Sequence, residues 1–270
     1  MQEGEEVPIK YVVPTASASE SLNVGFEEFT PFDSFVIPIP EAVSSFYILS
    51  LVEKAGDYSN IVFTFFNQTT TISDQISIFY PDLNPAEYIT NLSYSTGSEK
   101  YSYTSVASQL PTVFKKLDGQ LLSISSTSNT VNVNASGDFQ FVYANAYDDK
   151  NTNGNFESFS WTIYMDKSFI SNVSVPTIPE SIKQLYPELA LHTFVFDYAS
   201  LYKYSGVTDY KDWVKFIFSG PSHFNSKEIL SKAKNFSTGG RVGTTRAGEL
   251  YNRGDLTGRN SFRNKLKYGH

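Results

Sequence analysis

The sequence predicts an all-β protein in which antiparallel strands form a sandwich or a barrel. Between residues 32 and 174, apolar and polar side chains alternate with a period of two, as at Phe159, Trp161, Ile163 and Met165. Such alternation gives a strand one buried face and one polar face. Turn-forming residues such as Gly97 interrupt the pattern at short intervals. Many short strands with frequent breakers favour an antiparallel architecture over βαβ units.

The strands are expected in a fixed order along the chain. The first eight are predicted at 35–39, 46–52, 61–66, 76–80, 101–106, 121–125, 139–143 and 159–165. Two further strands are predicted at 192–196 and 213–218, on either side of a helical or looped segment at 197–210.

Two short helices complete the predicted secondary structure. One falls within residues 179–191, where Pro187 interrupts it. The other begins at a cap formed by Asn225 or Ser226. It has Glu228 in its first turn, with Lys232 and Lys234 in its last, an arrangement that suits the helix dipole.

The chain divides into an arm, a body and a tail. Residues 1–24 form a polar N-terminal arm, residues 25–220 the β-sandwich body, and residues 221–270 a short helix followed by a basic tail rich in Gly and Arg. Residues 1–220 carry 11 Lys/Arg and 25 Asp/Glu, a net charge of −14, whereas residues 221–270 carry a net charge of +7. This asymmetry is typical of proteins that bind nucleic acid or another anionic partner.

Composition excludes several classes of chemistry. The chain has no cysteine, which excludes disulfides, thiolate zinc sites, iron–sulfur centres and a cysteine nucleophile. It has three histidines and no stretch of about 20 apolar residues that would span a membrane. No catalytic motif occurs, so an enzyme is not expected. A pair of carboxylates meeting across a sheet stays open as the one catalytic alternative.

The loop from Asp148 to Glu157 has side chains with oxygen atoms at alternating positions, ahead of and beyond Gly154. It resembles the first half of calcium loops of the D-x-N-x-N-G kind. An EF-hand is excluded because its twelfth position, which needs Glu, is Ser160. The alternative is a plain hairpin turn formed by Asn-Gly between two strands. The candidate ligands for a calcium ion, the single cofactor considered, are Asp148, Asp149, Asn151, Asn153, Asn155 and Glu157.

The tail carries arginines at intervals of five to seven residues among glycines. Arginine suits phosphate because its guanidinium donates two parallel hydrogen bonds. The tail is therefore predicted to contact nucleic acid or a neighbouring subunit, while docking on its own acidic body is an equal alternative. The candidate contact residues are Arg241, Arg246, Arg253, Arg259, Arg263, Lys265 and Lys267.

An all-β body with a polar arm, a basic tail and no catalytic motif resembles the layout of jelly-roll shell proteins of non-enveloped viruses or phages. The resemblance implies a virion structural protein that self-assembles with copies of itself or related shell proteins and catalyses no reaction. In most such proteins of RNA viruses the basic arm is N-terminal, whereas here it is C-terminal.

A second hypothesis is an exported bacterial β-sandwich module at the cell surface or outside the cell that binds glycan or protein. For that function, Trp161 and Trp213 are candidates for a platform on which a sugar stacks, although Trp161 lies on an alternating apolar face that favours the core.

Overall fold

A computed structural model describes residues 10–11, 30–56, 61–127, 130–152, 155–187, 195–219 and 227–236. This part of the chain is mostly antiparallel β-strand with two short helices, which confirms the predicted fold class. The strands are β1 (Lys10–Tyr11), β2 (Thr30–Pro31), β3 (Asp33–Val52), β4 (Ile61–Tyr80), β5 (Glu87–Thr96), β6 (Glu99–Ala107), β7 (Gly119–Ser126), β8 (Thr130–Gly137), β9 (Phe141–Thr152), β10 (Asn155–Asp166), β11 (Val173–Ser174), β12 (Phe196–Tyr204) and β13 (Glu228–Asn235). The helices are α1 (Glu180–Leu185) and α2 (Tyr210–Ser219).

The strands form one large sheet and two small ones. The large sheet has eight strands in the order β10-β9-β12-β13-β6-β5-β3-β4. A second sheet has three strands in the order β11-β8-β7, and β1 pairs with β2. All of these neighbours run antiparallel.

The three-stranded sheet covers one half of the inner face of the large sheet. Leu121 of β7 and Val133 of β8 are buried in one cluster with Val142 of β9 and Leu201 of β12. Alternate residues of each strand enter this cluster, as the period of two predicts. Ile163 and Met165 of β10 belong to it too, which confirms the buried face predicted for that strand.

The long hairpin β3–β4 folds over the other half of the inner face. Tyr47 pairs with Asn67 in the sheet, yet its hydroxyl accepts a hydrogen bond of 3.0 Å from the Phe79 amide. Twelve residues of straight strand would separate Asn67 from Phe79 by about 40 Å. The hairpin must therefore bend, and its pairing register shifts between Pro38 and Ser45. Proline inside a strand commonly marks such an irregularity because it cannot donate to the ladder.

Helix α2 packs against the opposite face of the large sheet. Asp209 caps its start, since the Asp209 carboxylate accepts a 2.8 Å hydrogen bond from the Asp212 amide. Trp213 of α2 is fully buried and stacks on Phe141, with ring centroids 4.3 Å apart. The strand predicted at 213–218 is therefore wrong. Its dense apolar residues suit a helix packed on a sheet, and the Asp209 cap decides the start of that helix.

The segment predicted to be a capped helix after residue 225 is strand β13. It lies between β12 and β6 and pairs with both. The charges that suggested a helix serve another purpose, because Lys232 forms an ion pair with Glu99 on the neighbouring strand at 3.0 Å. The sheet of the body thus continues past residue 220, where the sequence placed the end of the body.

Two other predicted segments lie between residues 179 and 210. Helix α1 (Glu180–Leu185) confirms the helix predicted within 179–191. Strand β12 (Phe196–Tyr204) occupies most of the segment 197–210, which was predicted to be helical or looped, and that prediction is wrong. Of the strand predicted at 192–196, residues 192–194 lie outside the described residues. The serine, alanine and tyrosines of β12 form no clear alternation, because both faces of this strand are covered.

Candidate functional site

A cluster of lysines, tyrosines and carboxylates lies between the two layers, on the inner face of β6 and β13. The ring of Tyr101 lies between two ammonium groups, 4.2 Å from Lys116 and 5.2 Å from Lys232. Its hydroxyl donates a 2.6 Å hydrogen bond to Glu99, which also pairs with Lys232 at 3.0 Å. Lys116 pairs in turn with Glu41 of β3 at 2.7 Å. The cluster therefore connects β3, β6 and β13 with the segment that leads to β7.

Two further carboxylates, outside this cluster, are each bound by a lysine and by a second donor. Glu228 pairs with Lys115 and accepts a 2.9 Å hydrogen bond from the Tyr103 hydroxyl. Glu87, which is buried, pairs with Lys227 at 2.7 Å and accepts from the Gly56 amide at 2.9 Å. In each of these groups a lysine neutralises the carboxylate, so these charges are compensated within the fold.

The pKa directions follow from this pairing. Burial raises the pKa of Glu99, but the hydrogen bonds from Tyr101 and Lys232 and the charges of Lys232 and Lys234 outweigh it, so that the pKa lies below the usual 4.5. Burial and the hydrogen bond to Glu228 raise the pKa of Tyr103 to about 12. At neutral pH the glutamate is ionised and the tyrosine is protonated, which are the states that their hydrogen bonds require.

We expect Glu99→Gln to lower the free energy of unfolding by about 2–3 kcal/mol at pH 7, because Lys232, only 6% exposed, loses its partner carboxylate. A carboxylate with a lowered folded pKa stabilises the protein above its ordinary pKa, and that contribution disappears as the pH falls through the folded pKa. Urea unfolding at several pH values would measure both effects. The native protein should lose stability below pH 4.5, and the variant should lose less over the same range.

The matched control for this experiment is Glu180→Gln. Glu180 forms a surface pair with Lys183 at 3.5 Å, and its side chain is 74% exposed. Its loss should cost under about 0.5 kcal/mol, since exposed pairs contribute little. Equal effects of the two substitutions would contradict a stabilising role for the buried cluster.

The predicted calcium loop lies in the hairpin of β9 and β10. The strands pair up to Thr152 and Asn155, which leaves residues 153 and 154 between them, and Asn153 itself lies outside the described residues. In this register Glu157 pairs with Lys150, and Asp149 pairs with Ser158. Alternate positions of a strand share a face, so positions 149 and 151 lie on one face, and positions 148, 155 and 157 on the other. Calcium binding stays a prediction.

Replacing both Asp149 and Asn153 by Ala should lower thermal stability only in the presence of calcium, because a bound ion stabilises the folded state by mass action. Differential scanning fluorimetry with calcium and with a chelator would measure this. If the native protein melts at the same temperature in both, the hairpin binds no calcium and the Asn-Gly turn alone explains the sequence.

The other predicted site residues fall into two groups. The seven basic residues of the tail, from Arg241 to Lys267, lie outside the described residues. Of the two tryptophans, Trp161 is half-buried against the inner core, as its alternation predicted, and Trp213 is fully buried. A fully buried ring cannot stack on a sugar, so Trp213 is excluded as a platform.

Two open grooves lie on the surface. One, of about 350 Å³, runs across β7 and β8 and is lined by hydroxyl and amide side chains: Ser123, Ser125, Asn132, Asn134 and Ser171. The other, of about 460 Å³, lies between β7 and β12 and includes Phe236, where the described chain ends. The first groove offers hydrogen-bonding groups that match a ligand rich in hydroxyls.

Two features of the fold, the lysine–tyrosine cluster and the edge strands of the large sheet, could not be predicted from local patterns. The lysine–tyrosine cluster joins residues that are far apart in the chain, and no local pattern marks them. The two edge strands of the large sheet, β4 and β10, are likewise decided by the strand order. The one sequence signal for an open edge is that the 13 residues from Ile61 to Ser73 include no charge, proline or glycine.

Within the described ranges, no group of three or more His, Asp or Glu side chains could hold a metal ion. The helices described, α1 and α2, are both too short to cross a membrane. Comparisons of the chain with protein-family models, with curated proteins and with solved structures gave no match.

Proposed function

We propose that this protein is a structural shell protein that works by assembling with copies of itself, as the capsid proteins of non-enveloped virions do. The observation that carries the proposal is the neutral edge of the large sheet at β4, with which only β3 pairs among the described strands. Natural proteins usually protect such edges with charges, proline or bulges, because an open edge pairs with other chains. An edge without protection suits a protein whose role is to associate.

The charge distribution supports the same function. The acidic body and the tail after Phe236, which has seven Lys/Arg and two Asp/Glu and so a net charge of +5, attract one another, and a tail can reach a neighbouring body as readily as its own. In a shell, such tails would link subunits or contact the genome. The lysines between the layers are paired with glutamates, so an anionic partner would be bound by the basic residues of the tail.

The test compares the full chain with a chain that ends at Phe236. We expect the full chain to form large closed particles, seen by light scattering and electron microscopy. The shorter chain should keep its β spectrum by circular dichroism but assemble poorly or with less nucleic acid, measured by the 260/280 nm absorbance ratio. Salt should weaken the tail contacts, because screening shortens to roughly 8 Å near physiological ionic strength.

Three outcomes would contradict this function. A full chain that stays monomeric over a wide range of concentration and salt would exclude self-assembly. A shorter chain that forms normal particles with unchanged nucleic acid content would exclude a role for the tail. A shorter chain that loses its β spectrum would place the tail within the folded body.

The second candidate is an exported surface protein that binds glycan, and the polar groove on β7 and β8 favours it. Its hydroxyl and amide groups lie side by side, since Ser123 pairs with Asn134 and Ser125 with Asn132. Glycan-array binding that Asn134→Ala abolishes, by a protein that stays monomeric, would support this candidate over a shell protein. Such a protein would act outside the cell or at its surface, whereas a shell protein would be found in the virion.

A further inference from the structure

The two edge strands of the large sheet, β10 and β4, differ in how far other described parts of the chain cover them. At one edge, the Tyr210 hydroxyl of α2 donates a 3.0 Å hydrogen bond to the carbonyl oxygen of Tyr164 in β10. Glu157 and Asp166 add two negative charges to that strand. Edge strands are commonly protected by charged residues and by covering elements. The β10 edge therefore has protection of both kinds.

Among the described residues, contacts to the outer side of β4 are found in the half that folds over the sheet. There the Phe79 amide donates to the Tyr47 hydroxyl, and the Gln75 amide donates to the Ser73 hydroxyl at 3.2 Å. In the half that lies in the sheet, residues 61–69, the described structure pairs β4 with β3 alone. An antiparallel strand uses alternate residues for each of its two neighbours, so about half of the backbone groups of residues 61–69 face away from β3.

The composition of this open half suits pairing with another strand. Its nine residues, Ile-Val-Phe-Thr-Phe-Phe-Asn-Gln-Thr, are mostly β-branched or aromatic, and none is charged. Neutral segments of high β propensity without proline or glycine are those that pair most readily between chains. The nearest charge within β4, Asp74, lies beyond the segment.

Charge also indicates which partner fits. Residues 1–220 of each copy carry a net charge of −14 and repel those of another copy, so two copies approach best where both surfaces are neutral. Two copies of residues 61–69 meet this condition, because antiparallel self-pairing places no like charges opposite one another. Pairing of β4 with the β10 edge of another copy would bring in Glu157 and Asp166 and displace the Tyr210 contact. It would also be head-to-tail, which produces open filaments unless the rotation closes.

We infer that residues 61–69 of β4 pair antiparallel, about a two-fold axis, with the same residues of a second copy, and so join two large sheets into one. The pair supplies about nine backbone hydrogen bonds, one for each residue of the segment. This inference rests on the proposed function, since it names the contact through which the shell protein first associates. The two-fold dimer is the unit from which larger particles are then built.

The absence of cysteine from the chain permits a direct test. Thr64→Cys, Phe66→Cys and Gln68→Cys would be prepared in the full chain, then oxidised mildly, singly and mixed in pairs. These three positions alternate along the strand and therefore share one face of the sheet, on which Thr64 is exposed. We expect one variant, or one mixed pair, to form a disulfide-linked dimer in high yield, because residues opposite one another in an antiparallel pair have Cβ atoms about 4.5–5.5 Å apart.

The matched control is Ser160→Cys on β10, which is also exposed at an edge of the same sheet. It should stay monomeric on oxidation, alone or mixed with the β4 variants. Linkage between Ser160→Cys and a β4 variant would overturn the two-fold pairing in favour of head-to-tail association. The pairing would also be overturned if no β4 variant crosslinks although circular dichroism shows that each variant is folded.

A charge exchange provides a second readout. Lys and Glu are placed separately at the position that crosslinks best, where lysine on an edge strand is well tolerated by the fold. Each variant alone should dimerise at least about 10-fold more weakly, because like charges then face one another, and an equimolar mixture should regain dimerisation. Unchanged dimerisation by both variants would contradict the inference.

These results separate the inference from the proposed function. Dimers that crosslink through β4 without any larger particle would leave the inference standing and exclude a shell protein. Particles that form normally although no β4 variant crosslinks would support the shell protein and exclude this contact.

Discussion

A chain that ends at residue 220 should fail to fold, whereas a chain that ends at Phe236 should keep the two-layer body. The two differ mainly by β13, which pairs over seven residues with β12 on one side and over seven with β6 on the other. Without it, the eight-stranded sheet separates into β10-β9-β12 and β6-β5-β3-β4. Ser231, Lys232 and Ala233 are also buried, so their removal opens the centre of the molecule.

Circular dichroism during thermal and urea unfolding would measure this difference. The chain of 236 residues should show one cooperative transition, and the chain of 220 residues should show none, because a body held together by a central strand cannot keep half of its sheet. The 236-residue chain is the control for loss of the tail. Similar melting of the two chains would mean that the halves of the sheet are stable independently.

We expect Trp213→Ala to lower the free energy of unfolding by about 4 kcal/mol, as full burial of an aromatic ring implies. The ring is 0% exposed, stacks on Phe141 and meets the Tyr164 ring edge-on at a centroid distance of 5.5 Å. Removing it leaves a cavity between α2 and the sheet. For a domain of this size the melting temperature should fall by roughly 10 °C.

Trp213→Phe separates loss of packing from loss of polarity. The indole Nε1 finds no hydrogen-bond partner in the described structure, so phenylalanine loses no hydrogen bond and keeps the stacking. It should cost clearly less than Trp213→Ala, because the remaining ring leaves a smaller cavity. If Trp213→Ala were as mild as Trp213→Phe, α2 would not depend on this ring for its position on the sheet.

Local sequence patterns predicted parts of six strands, β3, β4, β6, β7, β9 and β10, but did not predict β5 or β8. Ile76 and Ile78 are buried as their alternation requires, and Ile163 and Met165 likewise. These predictions succeed because a period of two is a property of neighbouring residues, and one covered face of a sheet suffices to produce it. The charge division between body and tail is likewise a property of the chain alone.

Prediction failed where the contacts that decide the structure lie outside the segment itself. Glu228, Lys232 and Lys234 have the spacing of a short helix with favourable end charges, yet they lie in β13. There Glu228 pairs with Lys115, and both lysines pair with Glu99 of β6. Residues 213–218 have the apolar density of a buried strand, yet they form α2 because Asp209 caps a helix there. In both segments the partner that decides the structure is remote or lies outside the pattern.

Local alternation and composition were enough to predict the fold class, parts of six strands, the acidic body and the basic tail, since these depend on neighbouring residues and on residue counts. Tertiary structure alone decided that β13 closes the centre of the sheet, that Lys232 meets Glu99 against Tyr101, and that β4 is an edge. The physical reason is that strand order and side-chain partners are chosen between residues far apart in the chain. The free energy of each strand pairing and side-chain contact depends on which surfaces the whole fold brings together. Local periodicity does not predict which surfaces these are.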